Sequence, residues 1–165
     1  MAYSLIIIDM QVGFPASHNE HTLAAVIREI KQAQRIDRPI FLVEVSQDIW
    51  PTVGPTHPDI LEALRGYDKW WTVEKSGTDG SFALTTPEVE CVGDGPAIHD
   101  HTKCNRLRMV GINTDCCVQA TACSLKHLGF DVEVVADACH SQYNHLWGLE
   151  AMRREGCRML HLDRM

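Results

Sequence analysis

Two adjacent cysteines, an aspartate and a lysine are the residues whose surroundings could support chemistry. Cys116 and Cys117 fall in Gly111-Ile112-Asn113-Thr114-Asp115-Cys116-Cys117-Val118, between an apolar run and a helical pattern. Thr114 and Asp115 are good N-cap types, so a helix is expected to begin about there, with Cys117 in its first turn. A thiol at a helix N-terminus faces unpaired backbone N–H groups and the positive end of the dipole, which favours the thiolate. The same N–H groups could hold an oxyanion. The competing assignment is a small buried hydrophobe, since free cysteine is among the most buried residue types. Cys116 is turned by about 100° round the helix from its neighbour. Only one of the pair can point into a site, and periodicity does not choose between them.

Asp9 breaks an isoleucine run, Leu5 to Ile8, at the end of an expected strand. Partial desolvation there would raise its pKa and suit a general base, whereas the bland alternative is a carboxylate satisfying loop N–H groups. Lys75 follows the run Trp70 to Val73 and precedes the turn-rich Ser76-Gly77-Thr78-Asp79-Gly80; by itself it reads as a solvated charge. Asp48 marks another strand exit. Cys91, Cys104, Cys123, Cys139 and Cys157 have no cap or charge context and are expected to pack. His99-Asp100-His101 looks superficially metal-like, but histidines so placed in a polar loop read as solvent-facing.

The elements that must position these groups alternate between two periods. Leu5 to Ile8, Ile40 to Val45, Leu107 to Ile112, Val132 to Val135 and Met159 to Leu162 are short apolar runs suited to parallel strands covered on both faces, and Trp70 to Val73 could add another. Leu23, Val26, Ile27 and Ile30 form a helical stripe, and Val118, Thr121, Ala122 and Leu125 repeat it before Gly129. Leu146, Leu149 and Met152 with Gly156 indicate a last helix, Pro58 to Leu64 a short one, and Thr86-Pro87-Glu88 a helix start. Strands alternating with helices predict an α/β fold, a three-layer α/β/α doubly wound and mainly parallel sheet, built as a single domain over residues 1–165. Ligands in such folds bind beyond the carboxyl ends of the strands, where the chemical candidates lie.

With 15 Lys and Arg against 22 Asp and Glu, the chain carries a formal charge of -7, which argues against nucleic acid as a partner. No apolar run approaches the ~18 residues of a membrane span. The opening Met-Ala-Tyr-Ser lacks the basic region of a signal peptide, and seven cysteines without a Cys-x-x-Cys pair fit free thiols in a reducing cytoplasm.

The separate signals meet in one resemblance. Asp9-Met10-Gln11-Val12-Gly13-Phe14, then Lys75 with Ser81-Phe82, then Gly111 through Val118 with Thr121-Ala122, Gly129-Phe130, Val132 and Asp137-Ala138, resemble in order the motifs of the isochorismatase-like cysteine hydrolases. That group includes nicotinamidases, N-carbamoyl amide hydrolases and isochorismatases. The resemblance implies the strand order 3-2-1-4-5-6 and an Asp9, Lys75, Cys117 catalytic triad, with Cys116 at the variable position. It also implies a cis peptide at Ile112-Asn113, oxyanion donors at the backbone N–H groups of Asn113 and Cys117, and substrate-binding roles for Gln11 and Phe14. Gln11 could also orient Asp9. Trp50, Trp70, Trp71 and Trp147 are potential companions of Phe14, although any one tryptophan more often serves core or interface.

The implied activity is cleavage of a C–N bond in a small amide or carbamoyl compound through a thioester. The alternatives are an isochorismatase-type vinyl-ether hydrolase, which needs an acid but no thiol, and a non-catalytic binding or assembly module. The chain departs from metal-binding nicotinamidases, whose motif resembles Asp-x-His with a further histidine; here Asp48-Ile49-Trp50 and a distant His57 stand instead. No metal and no cofactor is therefore expected. A small-molecule substrate and a homo-oligomer are implied as partners, with specificity carried by Gln47 to Tyr67 and Ser141 to Trp147.

Overall fold

Ser4 and the four apolar residues after it can all be buried only in a strand covered on both faces, and β1 (Ser4–Ile8) is such a strand. In the computed structural model, which describes residues 2–86 and 105–165, its side chains divide by alternation. Leu5 and Ile7 join one core cluster with Leu23, Val26 and Ile30, while Ile6 and Ile8 join another with Leu125, Leu149 and Met152. In β2 (Ile40–Val45), Ile40 and Leu42 face the first cluster, and Phe41 and Val43 the second. Each leucine or isoleucine so buried contributes roughly 1.5–3 kcal/mol.

The remaining strands are β3 (Trp70–Lys75), β4 (Arg106–Ile112), β5 (Asp131–His140) and β6 (Arg158–Leu160). All pairings are parallel, in the order β3-β2-β1-β4-β5-β6. This is the α/β sheet and the strand order that the sequence and its resemblance implied. Two helices, α1 (Glu20–Arg35) and α2 (Pro58–Leu64), cover one face. On the other lie α3 (Ser81–Thr85), α4 (Gln119–His127) and α5 (His145–Arg154). Asn19 caps α1, its side chain accepting from Thr22 N at 2.9 Å. No helix among the described residues is long and apolar enough to cross a membrane.

The helix start expected at Thr86-Pro87-Glu88 runs into residues outside the described ones, as do Cys91, Cys104, His99 and His101; Thr86 itself follows α3, its N–H donating to Phe82 O. Two local expectations are corrected. Strand β5 runs on to His140, past the expected end at Val135, because Ala136, Ala138 and Cys139 are also buried. Thr114 and Asp115 cap nothing: Thr114–Val118 is a π-helical turn, with Asn113 O accepting from both Cys116 N at 3.1 Å and Val118 N at 3.2 Å.

The chain builds β1, β2 and β3 outward in one direction and then returns to place β4 on the other side of β1. Ligand crevices form where the order reverses in this way. Gly111 makes the close approach of β1 and β4 feasible. It has φ +122°, and a Cβ there would lie 2.2 Å from Ile8 O.

Candidate active site

The carboxyl ends of β1, β3 and β4 converge on one buried ion pair and one thiol. Asp9 ends β1 in a left-handed conformation, φ 51°, which aspartate tolerates better than most residues. Its N–H donates to Val43 O at 2.9 Å. Lys75, the last residue of β3, places Nζ 3.0 Å from Asp9 Oδ2, with the two side chains 1% and 2% exposed. The ammonium also donates to Gly77 O at 2.8 Å and Thr78 O at 3.1 Å, so the turn after β3 folds over its own lysine. Carboxylate and carbonyls together engage the three donors that an ammonium has.

Cys117 lies against this pair. Burial pushes the Asp9 carboxyl above its ordinary pKa, while Lys75 and the Cys117 thiol pull the other way. Burial also pushes the Cys117 thiol up, and the neighbouring Asp9 carboxylate adds to that push against the attraction of Lys75. Desolvation and a like-signed neighbour thus oppose the thiolate that a helix N-terminus would favour. Cys116 is exposed, whereas Cys117 is partly buried; Cys139 and Cys157 are buried and Cys123 is half-buried.

The turn carrying the cysteines is anchored from the far side. Asp115 accepts from Ser141 Oγ and, at 2.9 Å, from Asn144 N, and Thr114 Oγ1 lies 2.7 Å from His145 Nδ1. Gly148 allows α5 to touch the turn directly, since a Cβ there would sit 2.7 Å from Asp115 Cα. The Ile112-Asn113 peptide is cis. Asn113 Oδ1 accepts from Gln142 N at 3.2 Å.

Above Cys117 opens a cavity of about 380 Å³. Asn113, Cys116 and Cys117 line it from β4 and the turn, Phe14 from the segment after β1, and Trp50 and Val53 from the loop after β2. The Phe14 and Trp50 rings meet edge to face, with centroids 5.9 Å apart and planes at 88°. Gln142 and Tyr143 complete the wall, so both segments expected to carry specificity reach the cavity.

Gln11 is placed elsewhere. Its fully buried amide donates to Val45 O at 3.1 Å and Gly54 O at 2.8 Å, and accepts from Val45 N at 2.8 Å. It therefore ties β1, β2 and the loop after β2 together; its amide bonds are to Val45 and Gly54 and not to Asp9, and it does not line the cavity. Among the tryptophans, Trp50 is the one that lines the cavity, Trp71 packs against Phe41 with ring centroids 5.4 Å apart, and Trp147 is exposed on α5.

The donor set after β2 does not fit the metal of the metal-binding relatives. Asp48 is exposed, Trp50 offers no ligand atom, and His57 Nδ1 accepts from Asp59 N at 3.3 Å as the cap of α2. Among the described residues no three His, Cys, Asp or Glu side chains gather in a way that could hold a metal ion.

The family model for the isochorismatase domain matches residues 3–163. The chain belongs to the isochorismatase family. Members of this family are generally hydrolases. Isochorismatase domain-containing protein 2 of Xenopus laevis is 31% identical over 157 residues, covering 92% of this chain and 68% of the frog protein. The nicotinamidase of Staphylococcus aureus superposes with a TM-score of 0.75 at 18% identity, over 97% of this chain and 100% of that one. An N-carbamoylsarcosine amidase from Thermoplasma acidophilum gives 0.72 at 17% identity, over 96% and 95%. At such identities the two structural likenesses establish the fold.

Proposed function

We propose that the protein hydrolyses a C–N bond of a small amide or carbamoyl compound through a thioester on Cys117, with Asp9 and Lys75 as its partners. The observation that carries this is a thiol at the floor of an open cavity, backed by a buried carboxylate whose pKa is raised and which a buried lysine contacts at 3.0 Å. A raised carboxyl is matched to proton transfer near neutrality.

The sulfur attacks the carbonyl carbon while its proton passes to Asp9. The backbone N–H groups of Asn113 and Cys117 receive the oxyanion. Collapse breaks the C–N bond as Asp9 returns the proton to the departing nitrogen, releasing ammonia or an amine and leaving the thioester. Water then attacks, giving its proton to Asp9, and cleavage of the C–S bond restores the thiol and frees the acid. Lys75 keeps Asp9 ionised when idle and offsets the negative charge that develops on sulfur. Phe14 contacts the substrate, and Gln11 acts through the backbone it holds.

The exposed Phe82, Leu146 and Trp147 support assembly as a homo-oligomer, which light scattering at micromolar concentration tests; a monomeric mass contradicts it. The activity is tested by ammonia release from nicotinamide, simple primary amides, carbamoyl amino acids and ureido acids. Turnover of at least one class is expected. Silence across the panel, joined by turnover of a vinyl ether, would replace amide hydrolysis with acid-catalysed ether cleavage.

A further inference from the structure

We propose that Thr121 is a positioning residue for the buried lysine: it holds the turn 76–80 on α4 and so sets where Lys75 stands between Asp9 and Cys117. This role rests on the amide hydrolysis proposed above for its effect on turnover, and on geometry for its effect on the lysine. Thr121 lies in the stripe Val118, Thr121, Ala122 and Leu125, which the cysteine turn and α4 bury completely. A hydroxyl in so dry and apolar a stripe calls for a specific partner. Thr121 Oγ1 accepts from Gly80 N at 2.8 Å.

Gly80 closes the turn that wraps Lys75. Ser76 to Asp79 are exposed, yet the carbonyls of Gly77 and Thr78 hold the buried ammonium at 2.8 and 3.1 Å. A surface turn moves more than the elements it joins unless it is tied down. The ties run to α4: besides the Gly80 bond, Asp79 Oδ2 accepts from Ser124 Oγ. Gly80 also packs on the lysine itself, since a Cβ there would lie 3.4 Å from Lys75 Cδ and 3.0 Å from Val43 Cγ1. Thr121 follows Cys117 by four residues in one continuous helical run, so the segment that carries the thiol also carries the anchor of the lysine. Without the hydroxyl, the buried Gly80 N–H loses its acceptor, and pairing it again requires the turn to shift. The two carbonyls move with the turn, and Lys75 withdraws from Asp9. Less of its field then reaches the carboxylate and the sulfur, both of which it favours in their ionised forms.

Thr121→Val keeps the shape and removes the acceptor, Thr121→Ala replaces it should the valine variant fail to fold, and Thr121→Ser keeps the hydroxyl. On the best amide substrate, Thr121→Val is expected to lose about tenfold in kcat with KM within about twofold. The acid limb of kcat/KM is expected to move up by about 0.5–1 pH unit, because Asp9 is then ionised with less help from Lys75. Thr121→Ser is expected to keep the wild-type values. On the free protein at neutral pH, iodoacetamide is expected to label Cys117 about 3–10-fold more slowly in Thr121→Val, and Cys116 at the wild-type rate, as read by peptide mass spectrometry. An unmoved acid limb with unchanged Cys117 labelling, faster labelling of both cysteines, or a serine variant as impaired as the valine one overturns the inference, since each is what packing alone would give. Slower labelling of Cys117 in a protein that releases ammonia from no amide counts against the hydrolase function and leaves the role of Thr121 standing.

Discussion

Lys75 Nζ and Asp9 Oδ2 are 3.0 Å apart, at the ends of β3 and β1, with neither side chain more than 2% exposed. An ion pair this dry is costly to half-remove, because the surviving charge stays buried alone. Lys75→Met is therefore expected to abolish turnover and to destabilise the protein by about 3–5 kcal/mol. Combining it with Asp9→Asn should recover most of that stability and none of the activity. Denaturant unfolding of the two single variants and the double one measures both, and additive losses would refute the coupling.

The acid limb of kcat/KM should report Asp9. Burial raises its carboxyl against the pull of Lys75, so the ionised base is lost as pH falls through a value above the ordinary ~3.9. Asp9→Asn is expected to lower kcat by about 10²–10⁴ and to remove that limb. An acid limb that persists in the variant would belong to another group.

How much of this site was legible in the sequence varies with the kind of constraint. Asp9, Lys75 and the cysteine pair stand at strand exits because an apolar run stops at each, and the unbroken run Leu5 to Ile8 can do little but form a doubly covered strand. The choice of Cys117 over Cys116 was not local: it came from resemblance, and in the fold it rests on which sulfur meets Asp9. Asp115 was misread as a cap because its true partners, Ser141 and Asn144, lie 26 and 29 residues ahead. Gln11 sits beside Asp9 in sequence yet bonds across to Val45 and Gly54, since β1 leaves the sheet in a left-handed turn at Asp9. No local pattern encodes such contacts.

Gly148 tests the anchoring of the cysteine turn. A methyl group there would meet backbone atoms of Thr114 and Asp115 at 2.7 Å, which cannot be relieved by a side-chain rotation. Gly148→Ala is expected to cost about 1–3 kcal/mol and to reduce kcat more than KM, since a shift of about 1 Å at the nucleophile is worth about 10²-fold in rate. A variant of full kcat would show that α5 does not fix the turn.

A second charge cluster, in which a buried Asp137 meets a partly exposed Arg28 and His161, lies away from the cavity and should contribute to acid stability. Arg28 donates to both carboxylate oxygens of Asp137, at 2.8 and 3.0 Å, while His161 Nδ1 lies 3.4 Å from the same group. Burial pushes Asp137 up, but Arg28 and His161 outweigh it and hold the carboxyl below its ordinary range. A depressed folded pKa means stability that is present above the unfolded value of ~3.9 and is lost as pH falls through the folded one. Arg28→Ala should thus destabilise the protein near neutrality and flatten its loss of stability below about pH 4. Unchanged acid unfolding would remove Asp137 from the account.

A thioester on Cys117 is tested most directly by quenched-flow mass spectrometry of the protein with its best amide substrate. The expected result is an acyl mass on the peptide carrying Cys117, retained in Cys116→Ala and absent, together with ammonia release, in Cys117→Ala. Full ammonia release by Cys117→Ala, with no adduct on the wild type, would contradict it.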